Sequence, residues 1–117
     1  MIDIKSEITA LLKECCPDIK VTYSRPKEIK TLPLITWVED NNREVDEYYN
    51  EITINIDIWD TTFLKCEKTA MEINKAMREK GFRRGSKIPL GESEVQRINM
   101  RFYGLIDENK FISKGAY

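Results

Sequence analysis

The chain has no histidine among its 117 residues, which removes the commonest general base and the commonest metal ligand together. Its three cysteines are Cys15, Cys16 and Cys66. An odd count with one adjacent pair makes neither a disulfide framework nor a zinc spacing, so all three read as reduced thiols. No apolar run approaches the roughly 18 residues of a membrane-spanning helix, and Met1 to Lys5 lacks the basic start and apolar core of a signal peptide. These absences point to a soluble intracellular protein with no membrane partner. Nor is one sign of charge in excess: 19 Lys and Arg against 20 Asp and Glu leave a formal net charge of -1. That balance argues against a chain that binds nucleic acid over its whole surface and moves attention to local clusters. With 41% hydrophobic and 33% charged residues, composition and length suit one globular domain with a core that needs no staple.

What is present is organised around residues 48 to 60. Ile52, Ile54, Ile56 and Ile58 recur at every second position with Thr53, Asn55 and Asp57 between them, the period of a strand with one dry face. Ile4, Ile8, Leu11, Leu12 and Cys15 form one helical stripe, so residues 2 to 15 read as an amphipathic helix stopped by Pro17. Ile19, Val21 and Tyr23 alternate as a short strand, and residues 25 to 31 form a polar loop. Leu34 to Val38 is a second strand, apolar on both faces, in which Trp37 serves as core or subunit contact rather than as a ligand platform. Glu39 to Glu47 carries five acids against one arginine and reads as a protruding hairpin loop, with Asn41-Asn42 as its turn signal.

Asp60, Thr61 and Thr62 offer helix caps, and Phe63, Cys66, Ala70, Ile73 and Met77 step along the dry side of a second helix over 62 to 80, closed by Gly81. Cys66 within that stripe is a packing residue. Phe82 to Gly91 is a turn-rich basic connection with at most a short strand. Ile98, Met100 and Phe102 mark a further strand over 94 to 103. The expected fold is α+β: a mostly antiparallel sheet of four or five strands with two helices on one face, in the order α-β-β-β-α-β with room for one more short strand. Residues 1–106 form the single domain, and 107–117, with Phe111 and Ile112, a tail that orders on assembly.

No constellation announces chemistry, and we expect no catalytic, cofactor or metal site. Asp57 and Asp60 flank Trp59, yet one falls on the wet face of a strand and the other where a helix cap belongs. Asp40, Glu44, Asp46 and Glu47 lack the spacing and the glycine of a calcium loop. Gly81 to Lys87 departs from the phosphate-loop spacing and follows a helix where that motif follows a strand. Arg78, Lys80, Arg83, Arg84 and Lys87 form a basic cluster, open to three readings: solvated surface, protein contact or phosphate contact. Acidic and basic segments of opposite sign on one subunit suit a head-to-tail contact that closes into a ring.

Pro33-Leu34-Ile35-Thr36, Ile54-Asn55-Ile56-Asp57-Ile58-Trp59, the helix end Gly81-Phe82 and Ile98-Asn99-Met100-Arg101-Phe102, in this order of elements, resemble the tail-terminator (tail-completion) proteins of long-tailed bacteriophages, over nearly the whole chain. The resemblance implies a non-enzymatic virion protein, assembled in the host cytoplasm. As a hexameric ring it would stop the tail tube, meet the tube protein and the head-tail connector, and pass DNA through its lumen without reading it. It uses no cofactor. On that reading Asp40, Glu44, Asp46, Glu47, Arg83, Arg84, Lys87, Phe111 and Ile112 are the contact candidates. The alternative is a small nucleic-acid-binding or regulatory module that uses the basic turn 78–87 with Arg97 and Arg101. The two part on one measurement: the module binds DNA or RNA with an affinity that falls steeply as salt rises, and the structural subunit binds little nucleic acid alone.

Overall fold

Every second side chain of the isoleucine run is fully buried because the run is the middle strand of a sheet roofed on one side. The computed structural model describes residues 3–44, 49–91 and 94–107. The elements follow as α1 (Ile4–Cys15), β1 (Lys20–Tyr23), β2 (Leu34–Glu44), β3 (Asn50–Asp60), α2 (Phe63–Lys80), β4 (Arg83–Pro89) and β5 (Gln96–Ile106). The strands lie in the order β1-β2-β3-β5-β4; β1 and β2 run parallel and the other three pairs antiparallel. This is the α+β plan that the sequence predicts, with the fifth strand drawn from the basic segment after α2.

Register explains the core. Ile58, Ile56 and Ile54 stand opposite Ile98, Met100 and Phe102 of β5, while Ile58 and Ile56 stand opposite Ile35 and Trp37 of β2. Residues directly across a ladder share a face, so three strands lay down one apolar floor. Ile8 and Leu12 of α1, with Cys66, Ala70, Ile73 and Met77 of α2, close on that floor in a single cluster. The Trp37 indole N–H donates to Thr9 Oγ1 on α1 at 3.2 Å, which satisfies its one polar atom inside the roof.

The helix ends are set by local chemistry. Asp3 caps α1, accepting from the backbone N–H and the hydroxyl of Ser6 at 3.2 and 2.8 Å, and these bonds hold its carboxyl below the ordinary value. Thr62 caps α2 through its hydroxyl. At the other end Gly81 adopts φ 112°, and the N–H groups of Gly81 and Phe82 donate to the carbonyls of Arg78 and Met77. This closure needs a left-handed residue. It also drives Phe82 over Gly104 of β5, where an added Cβ would sit 2.6 Å from Phe82 Cε1.

Four expectations need correction. Glu39 to Glu44 is not loop: β2 continues through Glu44, and Asn41 and Asn42, read as a turn, pair with Thr53 and Ile52 after an irregularity between Glu39 and Asn41. Backbone hydrogen bonds to β3 hold these polar residues extended, whatever their own turn preference. Asp60 is the last residue of β3 and the cap falls to Thr62. Arg83 to Pro89 is the further strand for which the sequence left room, longer than expected at 7 residues and paired with β5 across an irregularity between Arg84 and Lys87, and β5 itself runs on to Ile106. Asp46, Glu47, Phe111, Ile112 and the tail beyond Asp107 lie outside the described residues.

The packing sets two outcomes. Ile56→Ala, in the centre of the floor, lowers unfolding free energy by about 2–5 kcal/mol. Gly104→Ala, which must displace the Phe82 ring, lowers it by about 1–3 kcal/mol. Urea denaturation of each variant beside the native chain measures both, and a Gly104→Ala chain as stable as native contradicts the close approach of Phe82.

Candidate assembly surfaces

The face of the sheet turned away from the helices is polar but not free. Counting along β3, Thr53, Asn55, Asp57 and Trp59 point to this side. Arg97 Nε donates to Asp57 Oδ1 at 2.9 Å, and Asn99 Nδ2 donates to Asp57 Oδ1 at 2.9 Å and to Asn55 Oδ1 at 2.7 Å. Trp59 is 1% exposed even though neither described helix covers this side. The guanidinium groups of Arg25 and Arg97 lie 4.6 and 4.8 Å from its ring centre, and its indole N–H donates to Thr36 Oγ1 at 3.1 Å. Cation–π contact with two arginines thus roofs an aromatic that the fold leaves on the outer face.

These pairings decide what the sequence candidates can do. Asp57 and Asp60 are three residues apart on one strand and so point to opposite faces, which removes them as an acid–base pair. Asp57 is engaged by Arg97 and Asn99; Asp60 is 6% exposed and accepts from the Thr61 N–H. Arg97 and Arg101, on which the nucleic-acid reading leans, are each held by an aspartate: Arg97 by Asp57, and Arg101 by Asp40 at 3.1 Å. Among the described residues no group of three or more His, Cys, Asp or Glu side chains stands ready to hold a metal ion. No described helix is long and apolar enough to cross a membrane.

The two charged segments named from the sequence are partly spent within the subunit. Asp40 is taken by Arg101, Lys87 binds Glu67 of α2 at 2.9 Å, and Arg83 lies 5.8 Å from the Tyr103 ring centre. Arg84 and Glu44 stay exposed. By register Arg83 and Asn41 share one row, through Tyr103 and Thr53. The acidic and basic segments therefore lie at the same end of the sheet, three strands apart, and not at opposite ends of the subunit. Missed from the sequence is the outward side of α2, where Leu64 and Met71 are 67% and 68% exposed among the exposed Lys68, Lys75 and Arg78. Their spacing of seven, out of phase with the dry stripe, is the signal that could have found them.

The thiols are packing groups. Burial, with the Asp60 carboxylate next in effect, pushes the Cys66 thiol up to about 11, and its sulfur lies 3.5 Å from the Gln96 carbonyl oxygen. Cys15 and Cys16 sulfurs are 3.5 Å apart, and that contact raises the Cys15 thiol and lowers that of Cys16. An open groove of about 380 Å³ runs past Cys15 between the helices, lined by Leu11, Glu14, Ala76, Glu79 and Lys80.

With this geometry in place, the chain resembles one chain in the solved virion of a native gene transfer agent particle. The two superpose with a TM-score of 0.55 over 84% of this chain and 85% of that one, at 13% sequence identity. Such likeness establishes a shared fold. No family profile matches the sequence, and no curated protein matches it.

Two outcomes follow from the site. Asp57→Ala removes the carboxylate that accepts from the partly buried Arg97 and Asn99, though Asn99 keeps Asn55, and lowers unfolding free energy by about 1–3 kcal/mol, read from urea midpoints. Near pH 8, where a thiol raised to about 11 is almost wholly protonated, Cys66 of the folded chain resists an alkylating reagent and becomes labelled in urea; peptide mass mapping checks this, and rapid native labelling contradicts its burial.

Proposed function

We propose that this chain is a non-enzymatic structural subunit of a phage or phage-like particle. More specifically, it closes the head-proximal end of a tail tube as a hexameric ring and meets the head connector. The observation that carries the reading is the fold shared with a virion chain along more than four-fifths of both chains. Resemblance of the sequence elements to tail terminators supplies the finer role.

Physically, such a subunit needs a body that keeps its shape and surfaces that meet neighbours. Three strands of 11 residues each, β2, β3 and β5, are paired side by side, and the body is elongated at 46 × 26 × 22 Å. A preformed sheet spends little ordering entropy when it docks. On the side of the sheet away from the described helices Asn55, Asp57, Arg97 and Asn99 are bonded to one another and Arg101 is ion-paired to Asp40, so the arginines of β5 on that face are already committed to acids of the same subunit. DNA in a lumen would then move past the ring without being read.

The test is direct. Purified chain is mixed with tail tubes from a particle that lacks its terminator, and the tube ends are imaged by electron microscopy. Capped ends with sixfold rings are expected, together with little DNA binding by the chain alone. Bare tube ends, or tight DNA binding that falls steeply with salt, overturn the reading in favour of a nucleic-acid module.

A further inference from the structure

Cys15 and Cys16 pack at the end of α1 much as Cys66 packs inside α2, but two features set the pair apart. Their sulfurs stand 3.5 Å from each other, whereas the Cys66 sulfur faces the carbonyl oxygens of Ile58 and Gln96 at 3.8 and 3.5 Å. Cys15 is also half-buried rather than buried, and it lines the open groove of about 380 Å³ between the helices. A small molecule can therefore reach its sulfur from solvent. Cys16, 6% exposed, is the cap residue just past the helix. Its N–H donates to the Leu12 carbonyl and its own carbonyl accepts from the Ile19 N–H, which fixes the backbone that carries both thiols.

Two thiols this close can bond to each other or grip one atom between them. A direct bond fits poorly, because adjacent Cα atoms are about 3.8 Å apart, short of the roughly 4.4 Å at which ordinary disulfides begin. A bridging atom fits well. Two bonds of about 2.3 Å, the length of a zinc–thiolate bond, drawn to sulfurs 3.5 Å apart meet at about 100°. That is the angle of a pyramidal or tetrahedral centre, not of a linear one. A closed zinc site needs four ligands, and among the described residues no group of three or more His, Cys, Asp or Glu side chains comes together. The pair suits a soft centre that takes two sulfurs from the protein and brings its third substituent with it. Trivalent arsenic with one carbon substituent meets that description, and the groove offers its substituent an apolar wall of Leu11 and Ala76.

We infer that Cys15 and Cys16 together form a chelating site for a monosubstituted trivalent arsenical, entered through the groove between α1 and α2. The Cys15 sulfur, on the groove, bonds to arsenic first, and its proton passes to the arsenic-bound oxygen. The Cys16 sulfur then displaces that oxygen, which leaves as water with the second thiol's proton. Two sulfur–arsenic bonds replace the bonding of arsenic to oxygen, and no oxidant or reductant takes part. Contact with Cys15 lowers the Cys16 thiol, which favours the second step. The site does not depend on the assembly reading above.

The experiment uses the full chain, fully reduced, with phenylarsine oxide as the probe in native buffer. Intact mass is expected to rise by one phenylarsine oxide less one water. Alkylation in urea afterwards labels Cys66 and spares Cys15 and Cys16, as peptide mapping reads. The adduct survives an excess of a monothiol and is lost to dimercaptopropanol, since only a second dithiol competes with two sulfurs held together. Cys15→Ser and Cys16→Ser each need at least roughly tenfold more reagent for half-saturation, with circular dichroism checking that they fold. An adduct that forms only in urea, that a monothiol strips from the native chain, or that sits on Cys66 overturns the inference, as does a folded serine variant that binds like native chain. Should a serine variant not fold, the native-chain measurements decide alone. Capping of tube ends is read separately, so loss of this site leaves the proposed function standing and loss of capping leaves the site.

Discussion

Four isoleucines on alternate positions of one strand can be kept dry only if both neighbouring strands adopt the same phase and something apolar is laid across that side. Nearly every other feature follows from this constraint. β5 answers with Ile98, Met100 and Phe102, and β2 with Ile35 and Trp37. At about 1.5–3 kcal/mol for each large side chain buried, a slip of one residue would cost more than a domain of this size has to spare. The helices need only bring a matching stripe, and the intervening chain, with caps at Asp3 and Thr62, determines where they land.

The same phase decides what happens on the other side. Once the isoleucines point inward, Thr53, Asn55, Asp57 and Trp59 must point outward, level with Arg97, Asn99, Arg101 and Tyr103 of β5. An aspartate, two asparagines and an arginine in hydrogen-bond contact have the look of a reactive cluster. Here they satisfy one another, and Trp59 beside them is sealed by guanidinium groups. The polar row is thus a consequence of the core's register, which is why it resembles an active site without holding a base beside a nucleophile.

What could be read in the sequence was whatever carries a period tied to one dry face. The isoleucine run, both helical stripes, the buried Trp37 and Cys66 and the Gly81-Phe82 closure all belong to that class, with the exception of Phe63, which the spacing puts on the dry side of α2 and which is 46% exposed at its first turn. Glu39 to Glu44 does not: beyond the reach of the helices both sides of β2 are wet, no alternation is required, and only the ladder to β3 reveals the strand. β4 was obscured because Gly85 and Ser86 fall in the irregularity between Arg84 and Lys87, which breaks the count of two. Trp59 was hidden for a different reason: cation–π roofing depends on Arg25 and Arg97, residues far apart in sequence. Among the contact candidates, Glu44 and Arg84 are exposed as expected. Asp40 and Lys87 are engaged by partners whose nearness, like that of Arg97 to Asp57, is created by the fold.

Charge totals hide this distinction and, once it is drawn, take on a different meaning. A subunit that meets copies of itself head to tail gives and receives the same contact, so any excess of cations on its accepting surface must be balanced by acids on its donating surface. Overall charge near zero with strong local segregation is what such an arrangement requires. It also limits growth outside the ring, because a closed circle uses every acidic and every basic surface within itself. A binding module for phosphate has no such need for balance and gains affinity from each uncompensated cation. The -1 of the whole chain therefore says less about what the protein meets than the pairing of individual charges does, since Asp57, Asp40 and Glu67 already hold Arg97, Arg101 and Lys87.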